Sequence, residues 1–145
     1  MPFSPKVGLV FGFYFLWKRD RLAGREFVTK PHPCVAFNVN PLESQPGEAQ
    51  LVRVLGISHT APEVGEDAIE IPQGIKRDLK LDGRKQWVYT CHANVVRWWD
   101  HVEPVGHPPV YLLGEMNPKF LASVIERVLD RQAANAFAIY PRKEA

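Results

Sequence analysis

The chain has 145 residues, of which 46% are hydrophobic and 23% are charged, and its formal net charge is +2. This composition is typical of one soluble globular domain and excludes an intrinsically disordered chain, because there are enough apolar side chains to build a core. The weak positive charge permits an anionic partner, but a dedicated nucleic-acid-binding domain is usually more basic.

Cysteine usage and hydropathy predict a cytoplasmic protein. Cys34 and Cys91 lie inside apolar runs and do not suggest a disulfide framework, and no segment resembles a secretory cleavage site. The most apolar run, residues 7–17, is about half as long as a membrane-spanning helix must be. We therefore expect no membrane role.

Thirteen prolines divide the chain into short segments, which favours strands and loops over long helices. We predict strands over residues 7–17, 33–40, 50–58, 68–72 and 86–91, and weaker strands over 110–113 and 136–140. Polar segments at 18–31 and 41–49 are predicted to be loops, and the pattern over 95–101 is ambiguous.

Two helices are predicted in the second half of the chain. The first covers residues 73–81 and ends at Asp82-Gly83. The second begins at Asn117-Pro118, a capping residue followed by proline in the first turn, and continues to about Asn135. Its apolar residues recur at helical spacing and are expected to face the core. They are Phe120, Leu121, Val124, Ile125, Val128 and Leu129.

The order of these elements predicts a mainly β, α+β fold. Strands come first, a short helix follows late, and one long helix lies near the end. The first strand contains Gly8 and Gly12, which allow it to bend. Short strands with a bent first member favour a small curved β-barrel with appended helices.

Reactive side chains are concentrated in four segments. Residues 30–34 enter the second strand, Ser58-His59-Thr60 leaves the third, and residues 91–94 leave the strand that follows the short helix. The fourth is the basic loop that contains Arg25. Because strand ends can converge on one rim of a small barrel, these segments could form a single site.

Metal-free RNA cleavage would suit these side chains. The ribose 2′-hydroxyl attacks its own phosphate, and the reaction needs a base, an acid and cationic or hydrogen-bonding groups at the phosphate. Histidines suit the first two roles, because their pKa lies near neutrality, and arginine or lysine suits the third. The candidates are His32, His59 and His92 for proton transfer, Arg25 and Lys30 for charge, and Ser58 or Thr60 as a hydroxyl donor.

Plainer interpretations stay open beside this one. A loop histidine is often only solvated, Ser58 and Thr60 are ordinary turn residues, and Cys34 suits a core. The pairs His32/Cys34 and Cys91/His92 invite a zinc site, but successive strand residues point to opposite faces and the chain has no CxxC pair. We therefore expect no metal.

Taken together, these segments resemble the PemK/MazF-like toxins of bacterial type II toxin–antitoxin modules, in particular their growth-inhibitor branch. The resemblance covers about residues 13–94 and, more loosely, the terminal helix. It rests on the order and spacing of AGRE at 23–26, the His-Pro-Cys junction at 32–34, Ile57-Ser58-His59 with Pro62, and the block from AIEIP at 68–72 to WVYT at 87–90.

The resemblance implies that residues 1–145 form a single PemK/MazF-like domain, an SH3-like barrel with appended helices. It further implies a homodimer that acts as an endoribonuclease toxin (an mRNA interferase) on single-stranded RNA, without metal or cofactor. A cognate antitoxin protein would neutralise it.

Residue by residue, the resemblance implies a changed catalytic set. His32 stands where the family has a catalytic arginine, Ser58 stands where it has a catalytic threonine, and His59 matches a histidine of this branch. An acidic residue of the family is replaced by Cys91-His92. The catalytic candidates are His32, Ser58 and His59, and the RNA-binding candidates are Arg25, Lys30, Thr60, His92 and Asn94.

Two outcomes are compatible with these departures. The site has moved to a two-histidine mechanism, or the barrel no longer cuts and only binds RNA or a protein. A separate hypothesis is an antitoxin-like or structural partner whose terminal helix packs on another chain, which requires an exposed apolar stripe on that helix. We favour the nuclease, because reactive groups remain at each matching position.

Overall fold

The computed structural model describes residues 3–24, 30–40 and 50–142, and these contain eight β-strands and three α-helices. In chain order they are β1 (Leu9–Phe13), α1 (Lys18–Leu22), β2 (His32–Val39), β3 (Leu51–Ser58), β4 (Ala68–Glu70), α2 (Gln73–Asp78), β5 (Trp87–Tyr89), β6 (His92–Arg97), β7 (Leu112–Glu115), α3 (Pro118–Ala133) and β8 (Ala138–Pro141). No helix in the described ranges is long and apolar enough to cross a lipid bilayer.

The strands form one mainly antiparallel sheet in the order β4-β5-β3-β2-β1-β7. β3 pairs with β5 through its C-terminal end and with β6 through its N-terminal half, and β8 adds to β6 in parallel. The α+β prediction is therefore confirmed. Within the described residues the sheet is not closed, because β4 and β7, the two ends of this order, do not pair with each other.

The long C-terminal helix is confirmed. The Asn117 side chain accepts hydrogen bonds from the backbone N–H groups of Lys119 and Phe120, at 3.0 and 3.1 Å, so it caps α3 as its position predicted. Val124 and Val128 are buried in the core, whereas Leu129, at the edge of the predicted stripe, is 58% exposed.

Three elements differ from the prediction. The first strand, predicted over residues 7–17, covers only Leu9–Phe13. The segment predicted as a polar loop after the first strand begins with the short helix α1. Strand β6 begins at His92, before the ambiguous stretch 95–101, and includes only the first three residues of that stretch. Its own first residues include the buried polar side chains of His92 and Asn94. Polar residues inside a strand conceal the apolar pattern by which a strand is usually found.

Each face of the sheet carries its own part of the core. Phe11, Phe13, Phe15 and Trp17 pack with Tyr89 on one side. On the other side α3 covers a second cluster, whose fully buried members include Val10, Leu55, Ile57, Val88 and Val124. The alternation of strand side chains supplies both clusters, which fixes the orientation of each strand.

Strand pairing brings two of the four predicted reactive segments together. In the antiparallel β2–β3 pair Cys34 lies opposite Gly56, so the start of β2 lies beside the end of β3. In the β1–β2 pair Phe13 lies opposite His32. The entrance to β2, the exit from β3 and the end of β1 therefore meet at one edge of the structure.

Gly12 in β1 lies unusually close to the backbone of a neighbouring loop. A Cβ atom at this position would lie 1.9 Å from the carbonyl oxygen of Glu103. The Glu103 N–H donates a hydrogen bond to the Gly12 carbonyl oxygen at 3.0 Å, so the two backbones are tied together at this point. Only a residue without a side chain fits here.

We expect Gly12→Ala to lower the free energy of unfolding by about 1–3 kcal/mol or more, because the loop backbone must move away to admit a methyl group. Gly74→Ala in α2 is the matched control, since a Cβ there meets nothing within 4 Å. The control should leave stability unchanged or raise it by about 0.5–1 kcal/mol. Urea denaturation measures both, and equal stabilities for the two variants would contradict the expectation.

Candidate functional site

Two clefts meet at His32, at the edge where β2 begins and β3 ends. The large cleft has a volume of about 460 Å³, and its polar lining includes Lys30, His32, His59, Asp82 and Arg84. The small cleft has a volume of about 310 Å³ and is lined by Trp17, Arg19, Asp20, His32, Ser58 and Thr60. The structure therefore gathers five of the predicted site residues around one point.

Ser58, His59 and Thr60 are divided between the two clefts. Ser58 and Thr60 line the small cleft, whereas His59 lines the large one. This division has the two-residue period of an extended chain, in which neighbouring side chains point in opposite directions. The end of β3 thus presents hydroxyls on one side and an imidazole on the other.

His32 is half-buried between the clefts, with its ring edge-to-face against Trp17 at a centroid distance of 5.2 Å. Its Nδ1 atom is buried and has no hydrogen-bond partner among the described residues. Burial, followed by the nearby positive charge of Lys30, lowers the pKa of His32 below its usual value. The ring is therefore neutral near pH 7 and can accept a proton.

His59 is oriented by a carboxylate. Its Nε2 atom lies 2.8 Å from Oδ2 of Asp82, and its Nδ1 atom lies 3.5 Å from Nη2 of Arg84. A carboxylate on one ring nitrogen fixes the orientation of an imidazole and supplies the negative charge that accompanies a protonated ring. The same residue is exposed enough to meet a ligand.

Asp82 is itself held by several hydrogen bonds. Its Oδ1 atom accepts from the Arg84 backbone N–H at 2.9 Å and from the Gln86 side-chain amide at 3.3 Å. Burial raises the pKa of Asp82, but the hydrogen bonds from Arg84 and His59 outweigh this effect and lower the pKa below its usual value. The carboxylate is consequently ionised at neutral pH.

A buried lysine of α2 holds the backbone of the two residues that follow Asp82. Lys76 of α2 is only 3% exposed, and its Nζ atom donates to the carbonyl oxygens of Gly83 at 3.3 Å and Arg84 at 2.7 Å. Sequence reasoning missed Lys76, Asp82 and Arg84 as parts of the site. Asp82-Gly83 gives only a helix-end signal, and its contact with His59 spans 23 residues.

The hydroxyl side of the site is also anchored. The Thr60 backbone N–H donates to Ser58 Oγ at 3.1 Å, which leaves the Ser58 hydroxyl proton able to reach a ligand. The Tyr89 hydroxyl donates to the Thr60 carbonyl oxygen. Burial, followed by the negative charge of Glu66, raises the pKa of Tyr89 to about 12, so the phenol keeps its proton.

His92 and Asn94 correct the sequence-based prediction, because both are fully buried and cannot contact RNA. The Asn94 amide donates to the Leu16 carbonyl oxygen at 2.9 Å and accepts from the Leu16 N–H at 2.7 Å. His92 Nε2 accepts from the Lys18 N–H at 3.2 Å. These polar groups hold the backbone between β1 and α1.

Two further predictions can be placed. Arg25 lies outside the described residues, whereas Lys30 lines the large cleft.

The side chains of Cys91 and His92 were expected to point in opposite directions, but Cys91 precedes the strand and its Sγ lies 3.3 Å from His92 Nδ1. The described part of the chain has no group of three or more His, Cys, Asp or Glu side chains that could hold a metal ion.

Comparisons with protein-family models, curated proteins and solved structures find no match for this chain. The functional inference therefore depends on the side chains of the two clefts and on the likeness of the sequence segments.

The burial of His92 predicts acid sensitivity. Burial, followed by the charges of Lys18 and Arg19, lowers its pKa to about 4. The unfolded chain binds this proton near pH 6.5 and the folded chain only near pH 4. The stabilising contribution is thus complete above pH 6.5 and is lost as the pH falls to 4, at a cost of about 3 kcal/mol.

His92→Gln removes the titrating group and keeps an acceptor for the Lys18 N–H. We expect the free energy of unfolding of the wild type to fall between pH 7 and pH 4 by about 3 kcal/mol more than that of the variant. Denaturant titrations at several pH values measure the difference. Parallel pH dependences for the two proteins would show that His92 is not held neutral.

Proposed function

We propose that this chain is a metal-independent endoribonuclease that cleaves single-stranded RNA by attack of the 2′-hydroxyl on the adjacent phosphate. One observation carries the proposal: His32 and His59 line the same cleft, together with Asp82 bonded to His59. A base, an oriented acid and a cationic phosphate site are what this reaction needs.

The proton transfers follow from the environments of the two rings. His32, neutral because its pKa is lowered, takes the proton from the 2′-hydroxyl as O2′ forms a bond to phosphorus. His59 gives a proton from Nδ1 to O5′ as the P–O5′ bond breaks, while its Nε2 stays bonded to Asp82. For this transfer Arg84, which lies 3.5 Å from Nδ1, turns towards the phosphate. The products are a 2′,3′-cyclic phosphate and a free 5′-hydroxyl, so no metal, oxidant or further reactant takes part.

Charge in the large cleft supports binding of the phosphate. Among its described lining residues, the permanent cations Lys30, Lys80 and Arg84 face a single carboxylate, that of Asp82. These cations supply positive charge in the cleft. His32, which stands where the PemK/MazF-like pattern has an arginine, does not supply it when it is neutral. The Ser58 hydroxyl can donate to a phosphate oxygen from the other side of His32.

The cleavage assay uses purified protein and single-stranded RNA in EDTA, and the expected product ends in a 2′,3′-cyclic phosphate. We expect His32→Ala and His59→Ala each to reduce the rate by about 10²–10⁴-fold, since each removes a proton-transfer group. His101→Asn is the matched control. It changes another histidine at a residue with φ of 64°, which asparagine tolerates, and it should cut at the wild-type rate.

Other results would favour the alternative functions. RNA that binds but stays intact with the wild type would indicate a catalytically inactive PemK/MazF-like barrel that acts as a binding module.

The wider proposal, a homodimeric toxin with a cognate antitoxin partner, is supported by the resemblance. Induced expression should arrest growth, and unimpaired growth would contradict a toxin.

The pH dependence of cleavage tests the role of His32. We expect the acid limb of kcat/KM to have its midpoint below pH 6.5, because protonation of His32 removes the base and its pKa is lowered. Lys30→Met should move this midpoint to higher pH, because it removes a nearby positive charge. A midpoint above 6.5, or one unaffected by the Lys30 variant, would assign the acid limb to another group.

A further inference from the structure

The two clefts that share His32 differ in the side chains that line them. The large cleft combines polar side chains with the apolar side chains of Leu81, Val105 and Leu113. Val105 and Leu113 belong to the second core cluster, so this part of the lining is packed against the core. A cleft of about 460 Å³ lined by apolar side chains and a few polar groups suits a flat heterocycle such as a nucleobase.

Five of the six described side chains that line the small cleft are polar, although its surface is divided about evenly between polar and apolar atoms. It presents the Arg19 guanidinium, the Asp20 carboxylate and the hydroxyls of Ser58 and Thr60, and its Trp17 ring is only 9% exposed. Such a lining offers hydrogen-bond donors and acceptors, and little of the Trp17 ring is exposed for stacking. It suits the hydroxyls of a ribose and the polar edge of a base.

We propose that the substrate is a strand in which two consecutive nucleosides occupy the two clefts, with the phosphate that links them over His32. This inference rests on the proposed function, and it adds a minimum substrate and a direction. His59, the group that protonates O5′, lines the large cleft, so the nucleoside downstream of the cut lies there. The upstream nucleoside, which carries the 2′-hydroxyl, lies in the small cleft.

The proposal predicts different affinities for ligands that fill both clefts and for ligands that fill only one. A deoxydinucleotide has a nucleoside on each side of its phosphate and cannot be cut, because it lacks the 2′-hydroxyl. A deoxynucleoside 3′-phosphate imitates only the upstream half, and a 5′-phosphate imitates only the downstream half. Mixtures of all base sequences make the comparison independent of sequence preference.

Binding is measured by NMR titration of the full chain at millimolar ligand. The deoxydinucleotides should bind at least about tenfold more tightly than either monophosphate, because linked halves do not each lose their own translational freedom. Affinity for the dinucleotides that is no better than for the tighter monophosphate would overturn the proposal. So would the absence of binding by all three ligands.

Two exposed residues allow each cleft to be tested alone. Thr60→Val, which removes one hydroxyl of the small cleft, should weaken the 3′-phosphate by about 3–10-fold and leave the 5′-phosphate unchanged. His107→Ala, on the rim of the large cleft, should do the reverse. Equal weakening of both monophosphates by either variant would show that there is a single site.

Failure of the two proposals would look different. A protein that shows this two-cleft binding but leaves RNA intact would overturn the endoribonuclease and retain the division of the site. A protein that cuts RNA but binds the dinucleotides no better than a monophosphate would retain the endoribonuclease and overturn the division.

Discussion

The side-chain amide of Asn94 bonds both backbone polar groups of Leu16, and the position of the candidate site depends on this clamp. Leu16 lies between β1 and α1, in a buried segment that belongs to neither element, so its N–H and C=O need partners from elsewhere. A buried backbone group without a partner would cost about 1–3 kcal/mol. Asn94 satisfies both groups and fixes the path of the chain into α1.

Trp17, the residue after Leu16, connects this clamp to the small cleft. Its ring packs against Phe15 at 4.6 Å and Tyr89 at 5.2 Å, and it forms the buried support behind His32. It can lie so close to β3 because Gly56 has no side chain: a Cβ there would lie 2.5 Å from the ring. Polar residues in the core, an aromatic ring and a glycine thus jointly position one imidazole.

The sequence predicted those features that depend on neighbouring residues. The cap and apolar spacing of α3 are local, and the extended pattern of β2 and β3 gave their limits to within one residue. The convergence of strand ends predicted that Lys30, His32, Ser58, His59 and Thr60 could meet.

Features that depend on distant contacts could not be predicted in this way. A histidine or asparagine at the start of a strand can lie in a surface site, or it can be buried with its hydrogen bonds made to the backbone. His92 and Asn94 were therefore wrongly predicted to bind RNA. The bond from Asp82 to His59 and the support from Lys76 join different elements, and no spacing in the sequence indicates them. The open sheet likewise depends on which edges pair, a property of the whole chain.

The irregular pairing between β2 and β3 has a consequence for the chemistry. Opposite Val54 and Arg53, the partners in β2 are Ala36 and Asn38, so Phe37 is an additional residue in that strand. Bulges of this kind set how two strands are aligned. If β3 slid by a single position, the imidazole of His59 would exchange sides with its flanking hydroxyls. The irregularity, several residues from the site, is therefore part of the strand register that places the imidazole on one side and the hydroxyls on the other.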